Sequence, residues 1–375
     1  MSGIYVHVPF CKSKCIYCDF YSIAVSSLVD DYCNALKKEI AFCDNQLTDK
    51  QIRTIYFGGG TPSMLEIGKI EGILSEIYKN YTVDSNAEIT IEANPENLNA
   101  EYLHQLKQIG INRLSIGIQS FDDATLKFLK RRHTAKEAIE SVLTAKKCGF
   151  DNISIDLIYG ITGIDNKMWE KQLDTAFSLP ISHLSCYCLG IEDNTLLHRY
   201  TAEGKYSPTD DESCLQQFLA FDSKVRENGF EHYEISNASK PNMCSRHNSS
   251  YWNRTEYLGF GPGAHSYYNG IRAWNIANVK EYIKGISEGN ICLTTETLSE
   301  TDIFEENIML GLRTSEGINL CEIEQRFGRE KVAEIRTAIS NLQPDLYQFD
   351  GNSFSLTPKG MFVSDSIIVE LIGLY

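Results

Sequence analysis

The sequence lacks long apolar runs and is short of basic residues. No run approaches the roughly 18 consecutive apolar residues that a transmembrane helix requires, so no spanning segment is expected. Its 35 lysines and arginines stand against 50 aspartates and glutamates, which gives a formal net charge of −15. Nucleic-acid binding needs clustered cations, and the densest basic run, KFLKRR at 127–132, is short. A nucleic-acid partner is therefore not expected.

No secretory signal is expected, because a strand-like run begins at Ile4 and a cysteine loop follows at once. We therefore expect a reducing, cytoplasmic location, which is compatible with peripheral membrane association. Of the 12 cysteines, nine are scattered through mostly apolar patterns and are predicted to pack as small apolar side chains: Cys33, Cys43, Cys148, Cys186, Cys188, Cys214, Cys244, Cys292 and Cys321.

The remaining cysteines, Cys11, Cys15 and Cys18, have the spacing C-x3-C-x2-C. Three thiolates this close in sequence can hold one metal cluster from a single loop. A [4Fe-4S] cluster is usually held by four cysteines, so three leave one iron open for chemistry. Two alternatives stay open: buried cysteines that only pack, or a zinc site. Zinc normally takes a second, distant ligand pair, and no second C-x2-C occurs.

The first half of the chain alternates period-two apolar runs with helical patterns, which is typical of βα units and a parallel sheet. Helices are predicted at 28–43 and 70–77, where apolar residues recur every three or four positions. Six strands are predicted, at 4–8, 54–57, 88–93, 113–118, 154–158 and 183–189.

Right-handed crossovers turn six such strands into a partial (β/α)6 TIM-like barrel, with the loops at their carboxyl ends gathered at one mouth. Residues of chemical interest fall at those ends. The cysteine loop follows the first strand, the glycine run 58–61 follows the second, Glu92 closes the third, and Gln119 follows the fourth; Asp156 lies in the fifth. The sequence therefore predicts an α/β fold with a site at the mouth of the barrel.

The middle of the chain gives weaker signals. We predict a helix at 210–228 and a strand at 230–235. The stretch 237–270 is rich in glycine and aromatic residues and has no clear periodicity, as in long functional loops. We therefore divide the chain into a barrel at 1–235, a connecting segment at 236–300 and a C-terminal domain at 301–375.

The C-terminal part shows helical patterns followed by a hairpin and a last helix that starts at Pro358. This order resembles an α+β winged-helix-like domain, and its glutamates favour a lid or docking role over DNA binding. The helical patterns are 302–312, 321–327 and 331–342, and the hairpin strands are 346–349 and 354–356, with a turn at 350–352.

The cysteine spacing, with Tyr17 just before the last cysteine, resembles the signature of the radical S-adenosylmethionine (SAM) superfamily. The resemblance implies that SAM chelates the open iron of a [4Fe-4S] cluster and is cleaved by an electron from it to a 5′-deoxyadenosyl radical. Further segments are similar to the HemN/HemW subgroup, so the predicted C-terminal domain is of the HemN type. These segments are IYVHVPF at 4–10, GGGTPS at 58–63, EANP at 92–95 and SIGIQSF at 115–121.

The resemblance also implies cofactor-binding residues. It places Gly59, Gly60 and Thr61 at the methionine amino group of SAM, where glycines let the backbone approach closely. Its other SAM positions are Glu92, Gln119, Arg131 and Asp156, which suit ribose hydroxyls and the carboxylate, and Tyr5 and Tyr17, which equally fit core aromatics. The subgroup more often has glycine where Lys130 stands.

Two features separate the branches of the subgroup. The decarboxylating enzyme has a fourth cysteine two residues after the last cluster ligand, whereas this chain has Phe20, as in the heme-chaperone branch. The run RHNSSYW at 246–252 is similar to the heme-binding H-N-x-x-Y-W motif of that branch, with His247 as the candidate ligand. His265 is predicted to be structural or to line the same cavity.

The resemblance therefore implies a heme chaperone without assigned catalytic residues. Its cofactors are a [4Fe-4S] cluster, SAM and heme, with heme or a porphyrin as cargo or substrate. Its expected partners are heme-accepting respiratory proteins and an electron donor such as flavodoxin or ferredoxin. The alternative function is oxygen-independent oxidative decarboxylation of coproporphyrinogen III to protoporphyrinogen IX.

Overall fold

The computed structural model of the protein describes residues 2–25, 27–291 and 293–373. Cys292 and the last two residues of the predicted C-terminal domain lie outside this part of the chain. Among the described residues, no helix is long and apolar enough to span a membrane.

Six consecutive parallel strands form the centre of the fold and confirm the predicted strands and fold class. They pair in chain order. On β1, Ile4, Val6 and Val8 are fully buried on one face, while Tyr5 and His7 alternate with them on the other. The strands are β1 Ser2–Val8, β2 Gln51–Gly59, β3 Thr82–Ala93, β4 Arg113–Gln119, β5 Asn152–Tyr159 and β6 His183–Cys188.

Helices cover the outside of this sheet by burying apolar stripes. On the second helix, Ile70, Ile73, Leu74 and Ile77 are buried, as their spacing predicts. The helices of this part are α1 Val29–Phe42, α2 Ile67–Asn80, α3 Ala100–Gln108, α4 Asp123–Phe128, α5 Ala135–Lys147, α6 Asn166–Ser178, α7 Leu196–Ala202, α8 Asp211–Glu227, α9 Arg246–Trp252 and α10 Val279–Ser287. Short 3-10 turns lie at Pro62–Met64 and Pro95–Asn97.

The stretch 237–270 is not irregular, and that prediction is wrong. It holds a helix and three short strands, which together with three strands before and after it extend the central sheet to 12 strands. Strand β9 Tyr257–Phe260 is parallel to β1 on one side, and β8 Asn237–Ser239 lies beside β6 on the other. The added strands are β7 Glu231–Glu234, β8 Asn237–Ser239, β9 Tyr257–Phe260, β10 His265–Tyr268, β11 Ile271–Asn275 and β12 Leu293–Thr297. Strands of three to five residues are too short to show a period. The division of the chain at 236 and 301 stays a prediction.

The C-terminal part has the predicted order of helices and hairpin. A three-stranded sheet, ordered β13-β15-β14, packs with its helices and contacts the barrel side through Phe362, whose ring centre lies 5.9 Å from that of Phe218. The elements are α11 Glu300–Leu312, β13 Ile318–Asn319, α12 Leu320–Phe327, α13 Arg329–Asn341, a 3-10 turn at Pro344–Leu346, β14 Tyr347–Phe349, β15 Ser353–Leu356, α14 Pro358–Phe362 and α15 Ser364–Ile372.

The packing prediction for the scattered cysteines holds only in part. Cys33, Cys43, Cys186 and Cys214 are buried. The prediction is wrong for Cys188, at the end of β6, and for Cys321, in α12, because both are exposed.

Candidate cofactor site

The cysteine loop is closed at its base by backbone hydrogen bonds. The Cys11 amide donates to the Ile23 carbonyl at 3.0 Å, and the Ile23 amide donates to the Pro9 carbonyl at 2.7 Å. The loop therefore leaves the end of β1 and returns to it, which keeps its cysteines at the mouth of the barrel. The Thr61 hydroxyl donates to the Cys11 sulfur at 3.5 Å.

A cavity of about 420 Å³ opens beside this loop. Most of the residues predicted from the strand ends line it, although they come from five different strands and their loops. The lining includes Cys11, Cys15, Tyr17, Cys18, Gly59, Gly60, Thr61, Glu92, Gln119, Arg131 and Asp156. The structure thus brings the predicted set together around the three thiols; the role of each residue stays a proposal.

The donor set of the loop suits a cluster. Within the described residues, no three His, Cys, Asp or Glu side chains converge closely enough to hold a single metal ion. A four-iron cluster does not require the three thiolates to converge on one point, because each thiolate binds its own iron.

The glycine run brings two backbone segments into close contact. The Gly60 amide donates to the Val8 carbonyl and the Thr61 amide to the Phe10 carbonyl, both at 2.8 Å. Gly59 has φ +106°, and a Cβ there would lie 2.6 Å from the His7 ring; at Gly60 it would lie 2.7 Å from the Phe10 carbonyl oxygen. Glycine is therefore required at both positions by the protein itself, and both glycines line the cavity.

Two half-buried carboxyl groups line the cavity. Glu92 accepts from the Tyr56 hydroxyl at 2.9 Å and from the Gly59 amide at 3.1 Å. Burial raises the pKa of Glu92 to about 7 and that of Asp156, which accepts from Ser115 at 3.3 Å, to about 6. Both groups titrate close to neutral pH and can accept hydrogen bonds from hydroxyl groups of a bound ligand.

Arg131 is held beside the cysteines by three contacts. Its Nη1 donates to the Cys15 sulfur at 3.5 Å, and its Nη2 donates to Asn94 Oδ1 at 2.5 Å and to the Gly117 carbonyl at 2.6 Å. Its Nε is buried and has no hydrogen-bond partner. An unpaired buried donor of a cation fits a carboxylate ligand, such as that of SAM, in this cavity.

The backbone around Arg131 and Gln119 is unusual. Gln119 has φ +69° and Lys130 has φ +58°, in the left-handed region that favours glycine. The subgroup's glycine at position 130 is thus explained by the turn after α4, and the lysine adopts the same conformation. The Arg131 amide donates to the Leu126 carbonyl at 2.8 Å, which fixes the backbone after this turn; the match of Arg131 to the SAM-binding arginine of the subgroup stays a prediction.

The two predicted tyrosines lie in different places. Tyr17 lines the cofactor cavity, and burial raises its pKa. Tyr5 lies on the wall of the neighbouring cavity instead. Its hydroxyl is hydrogen-bonded to His7 Nδ1 at 3.1 Å. Of the two, only Tyr17 is placed to meet a ligand beside the cysteines.

His247 lies apart from both cavities, inside the barrel. Its Nδ1 is hydrogen-bonded to the Thr54 hydroxyl and its Nε2 to the Tyr251 hydroxyl, each at 2.8 Å. Glu88 accepts from the backbone amide of His247 at 3.1 Å and fixes the start of α9. Burial lowers the pKa of His247 to about 3, so the ring is neutral. Its role as a heme ligand stays a prediction that requires one of these bonds to break.

Three residues of the cavity wall were missed. Asn94 orients Arg131 and donates to Thr61 Oγ1 at 3.3 Å, Ser115 holds Asp156, and the exposed Cys188 stands at the end of β6. All three lie in a barrel strand or directly after one. The strand-end rule, that site residues lie at the carboxyl ends of the barrel strands, fits Asn94 after β3 and Cys188 at the end of β6, although the prediction named neither. It does not fit Ser115, which lies inside β4 and is brought to Asp156 only by the fold.

Comparisons with known proteins agree with this geometry. Residues 5–176 match the family model of the radical SAM superfamily, and residues 298–363 match that of the HemN C-terminal domain. The heme chaperone HemW of Bacillus subtilis is 34% identical over 377 residues, covering 100% of both chains. This chain belongs to the HemW family of radical SAM proteins. Membership carries the [4Fe-4S] cluster and SAM as cofactors, as the resemblance implied.

Other relatives of the HemW family support the same assignment. The heme chaperone HemW of Lactococcus lactis is 34% identical and covers 99% of this chain and 97% of its own length. The structure of coproporphyrinogen III oxidase (HemN) from Escherichia coli covers 100% of this chain and 90% of its own, with a TM-score of 0.85 and 21% identity. At this identity, the likeness to HemN shows the shared fold.

Proposed function

We propose that this protein is a radical SAM heme chaperone, which binds heme and transfers it to acceptor proteins. The observation that carries the proposal is Phe20, which stands two residues after Cys18, where the decarboxylating branch has its fourth cysteine. The side chain is 62% exposed at the mouth of the barrel. An apolar ring in this place suits contact with a flat apolar cargo better than redox chemistry. The names of the HemW relatives support the same function.

Cys11, Cys15 and Cys18 are proposed to hold the [4Fe-4S] cluster and Arg131 to bind the carboxylate of SAM. Gly59, Gly60 and Thr61 are proposed to meet its amino group, and Glu92, Gln119, Asp156 and Tyr17 its remaining polar and adenosyl parts. The cluster supplies an electron for reductive cleavage of SAM when both are bound. The chain's own contribution is to orient SAM and to keep its charged groups paired.

The groups that are proposed to surround SAM also favour a second candidate function, that of a radical enzyme. A simple carrier has no need of Glu92, Gln119 and Arg131 around one cavity, whereas a radical enzyme needs them. The second candidate is therefore oxygen-independent decarboxylation of coproporphyrinogen III.

An anaerobic assay separates the two functions. The cluster is reconstituted, and the chain is incubated with SAM, a low-potential reductant and coproporphyrinogen III. The chaperone proposal expects no protoporphyrinogen IX above the level of a Cys11→Ala control, which is expected to lose the cluster's absorbance. Decarboxylated product formed at catalytic rates contradicts it.

The partners and location are proposals as well. We expect heme-accepting respiratory proteins as recipients, flavodoxin or ferredoxin as the electron donor, and a cytoplasmic protein that associates peripherally with membranes when it delivers heme. Flotation of the heme-loaded chain with lipid vesicles tests the last point, with the heme-free chain as control.

A further inference from the structure

We propose that the heme seat is a second cavity, beside the cysteine loop, and that His265 is the axial ligand of the heme iron. This inference rests on the proposed function. It concerns where heme binds, which neither family membership nor the H-N-x-x-Y-W run decides.

The second cavity has a volume of about 900 Å³ and lies between the cysteine loop and strands β10 to β12. This volume is at the upper end of the range of roughly 300–1,000 Å³ for cavities that hold small ligands and cofactors. Its wall is rich in aromatic rings, among them Phe20, Tyr21, Tyr251, Tyr257 and Trp274. Aromatic faces of this kind pack well on a flat macrocycle.

The imidazole of His265 is the proposed iron ligand in this cavity. It is the first residue of β10 and is exposed. Its ring lies against that of Trp274, with centres 6.0 Å apart and planes 23° from parallel. The surroundings lower the pKa of His265 below its ordinary value by desolvation, so the ring is neutral at pH 7, as metal binding requires.

His265 differs from the other histidines in its hydrogen bonding. All eight histidines lie in the described part of the chain, and the ring nitrogens of His265 have no hydrogen bond or ion pair there. Each of the other seven has at least one such partner. His7, also on this cavity wall, is buried, and both its ring nitrogens are bonded, to the Tyr21 carbonyl at 2.9 Å and to the Tyr5 hydroxyl. Of the two histidines on this cavity wall, His265 is therefore the one whose ring can bind iron without breaking a hydrogen bond.

The proposed heme cavity and the cofactor cavity share two wall residues. Asp19 and Phe20 line both cavities and follow Cys18 directly. A cluster held by Cys18 would restrain this segment and so one wall of the heme seat. The cluster and SAM would then influence heme binding without turning over a substrate.

A third cavity, of about 350 Å³, adjoins the seat at Tyr251, Tyr257 and His265 and carries Arg272. Arg272 pairs with Glu296 at 3.3 Å and with Glu306. A heme propionate would have to exchange with one of these glutamates to pair with the Arg272 guanidinium.

The test is an anaerobic titration of the cluster-reconstituted chain with hemin, followed by the Soret band and by electron paramagnetic resonance. We expect His265→Ala to weaken binding by about tenfold or more and to change the spectrum of the bound heme. Added imidazole is expected to restore the wild-type spectrum, which a merely structural defect would not allow. His104→Ala, at an exposed histidine of α3, is the matched control and is expected to bind hemin as the wild type does.

The outcomes separate the two proposals. If His265→Ala binds hemin with the wild-type affinity and spectrum while His247→Ala does not, the seat proposed here is wrong and the chaperone function stands. If the wild type itself binds no stoichiometric hemin, the proposed function fails and the seat fails with it. Far-UV circular dichroism and cluster absorbance of each variant exclude misfolding as the cause of a loss.

Discussion

The guanidinium of Arg131 lies 3.5 Å from the sulfur of Cys15, although 116 residues separate the two in the chain. Asn94 and the Gly117 carbonyl hold the same guanidinium from the other side. The arginine that is proposed to bind SAM is thus positioned by the barrel strands and touches the cysteine loop directly. The proposed SAM site and the proposed cluster site therefore meet at this side chain.

Arg131→Lys is expected to weaken SAM binding, because a lysine offers no planar fork and cannot keep three contacts while donating a fourth bond. Loss of one charge-assisted hydrogen bond corresponds to about a tenfold to hundredfold weaker affinity. The cluster's absorbance should be retained. Calorimetric titration of the cluster-loaded chain with SAM measures the effect, and Arg132→Lys, at the exposed neighbour, is the control. Equal affinities of the two variants contradict this role of Arg131.

Gly59→Ala is expected to destabilise the fold, since the added methyl group would lie 2.6 Å from the His7 ring at a φ of +106°. We expect a loss of about 2 kcal/mol in the free energy of unfolding. Gly72→Ala is the matched control in α2, where the added Cβ has no atom within 4 Å, and it should raise that free energy by about 1 kcal/mol. Urea unfolding of both variants checks the opposite signs, and two changes of the same sign refute the packing argument.

Lys130→Gly is expected to stabilise the protein. Lys130 has φ +58°, which costs a non-glycine residue about 1 kcal/mol, and the greater freedom of glycine in the unfolded chain offsets part of the gain. We expect a net increase of roughly 0.5 kcal/mol in the free energy of unfolding, with SAM affinity unchanged. Thermal and urea unfolding measure it. A clear loss of stability is the contrary result.

Glu92 is expected to make stability fall as the pH rises. Its pKa in the folded chain is raised to about 7, whereas an unfolded glutamate titrates near about 4.3. Folding therefore favours the protonated form; its contribution is full below about pH 4 and is lost as the pH rises through about 7. Glu92→Gln should remove this loss, so the variant gains stability relative to wild type between about pH 5 and pH 8.

Urea unfolding at several pH values measures this difference. Glu101→Gln, at an exposed position of α3, is the control and should follow the wild-type profile. A difference between Glu92→Gln and the wild type that does not change with pH contradicts the assignment.

The parts of the fold and of the site that depend on long, regular sequence patterns were predicted. The six barrel strands and their helices follow from periodic apolar residues, and the strand-end rule placed Glu92, Gln119 and Asp156 on one cavity wall. It did not predict that Tyr5 faces a different cavity. The side chains of β1 alternate between its two faces, but the pattern does not reveal which space each inward residue meets.

Of the six outer strands, the predicted strand at 230–235 is confirmed as β7, and the other five were missed because they are only three to five residues long. One local signal was present: Asn269 and Gly270 join β10 to β11 with φ values of +52° and +72°, as in the tight Asn-Gly turns of hairpins. The surroundings of His247 were not predicted for another reason. Its partner Tyr251 lies four residues further along the same helix, but Thr54 lies 193 residues away in the chain, and only the fold brings that hydroxyl to the ring.

The heme-chaperone function is tested most directly by the stoichiometry of hemin binding to the anaerobic, cluster-reconstituted wild-type chain. We expect a saturable Soret band at one hemin per chain, with an axial-imidazole spectrum. Absorbance that rises without saturation, or that equals the signal of an unrelated control protein, contradicts it.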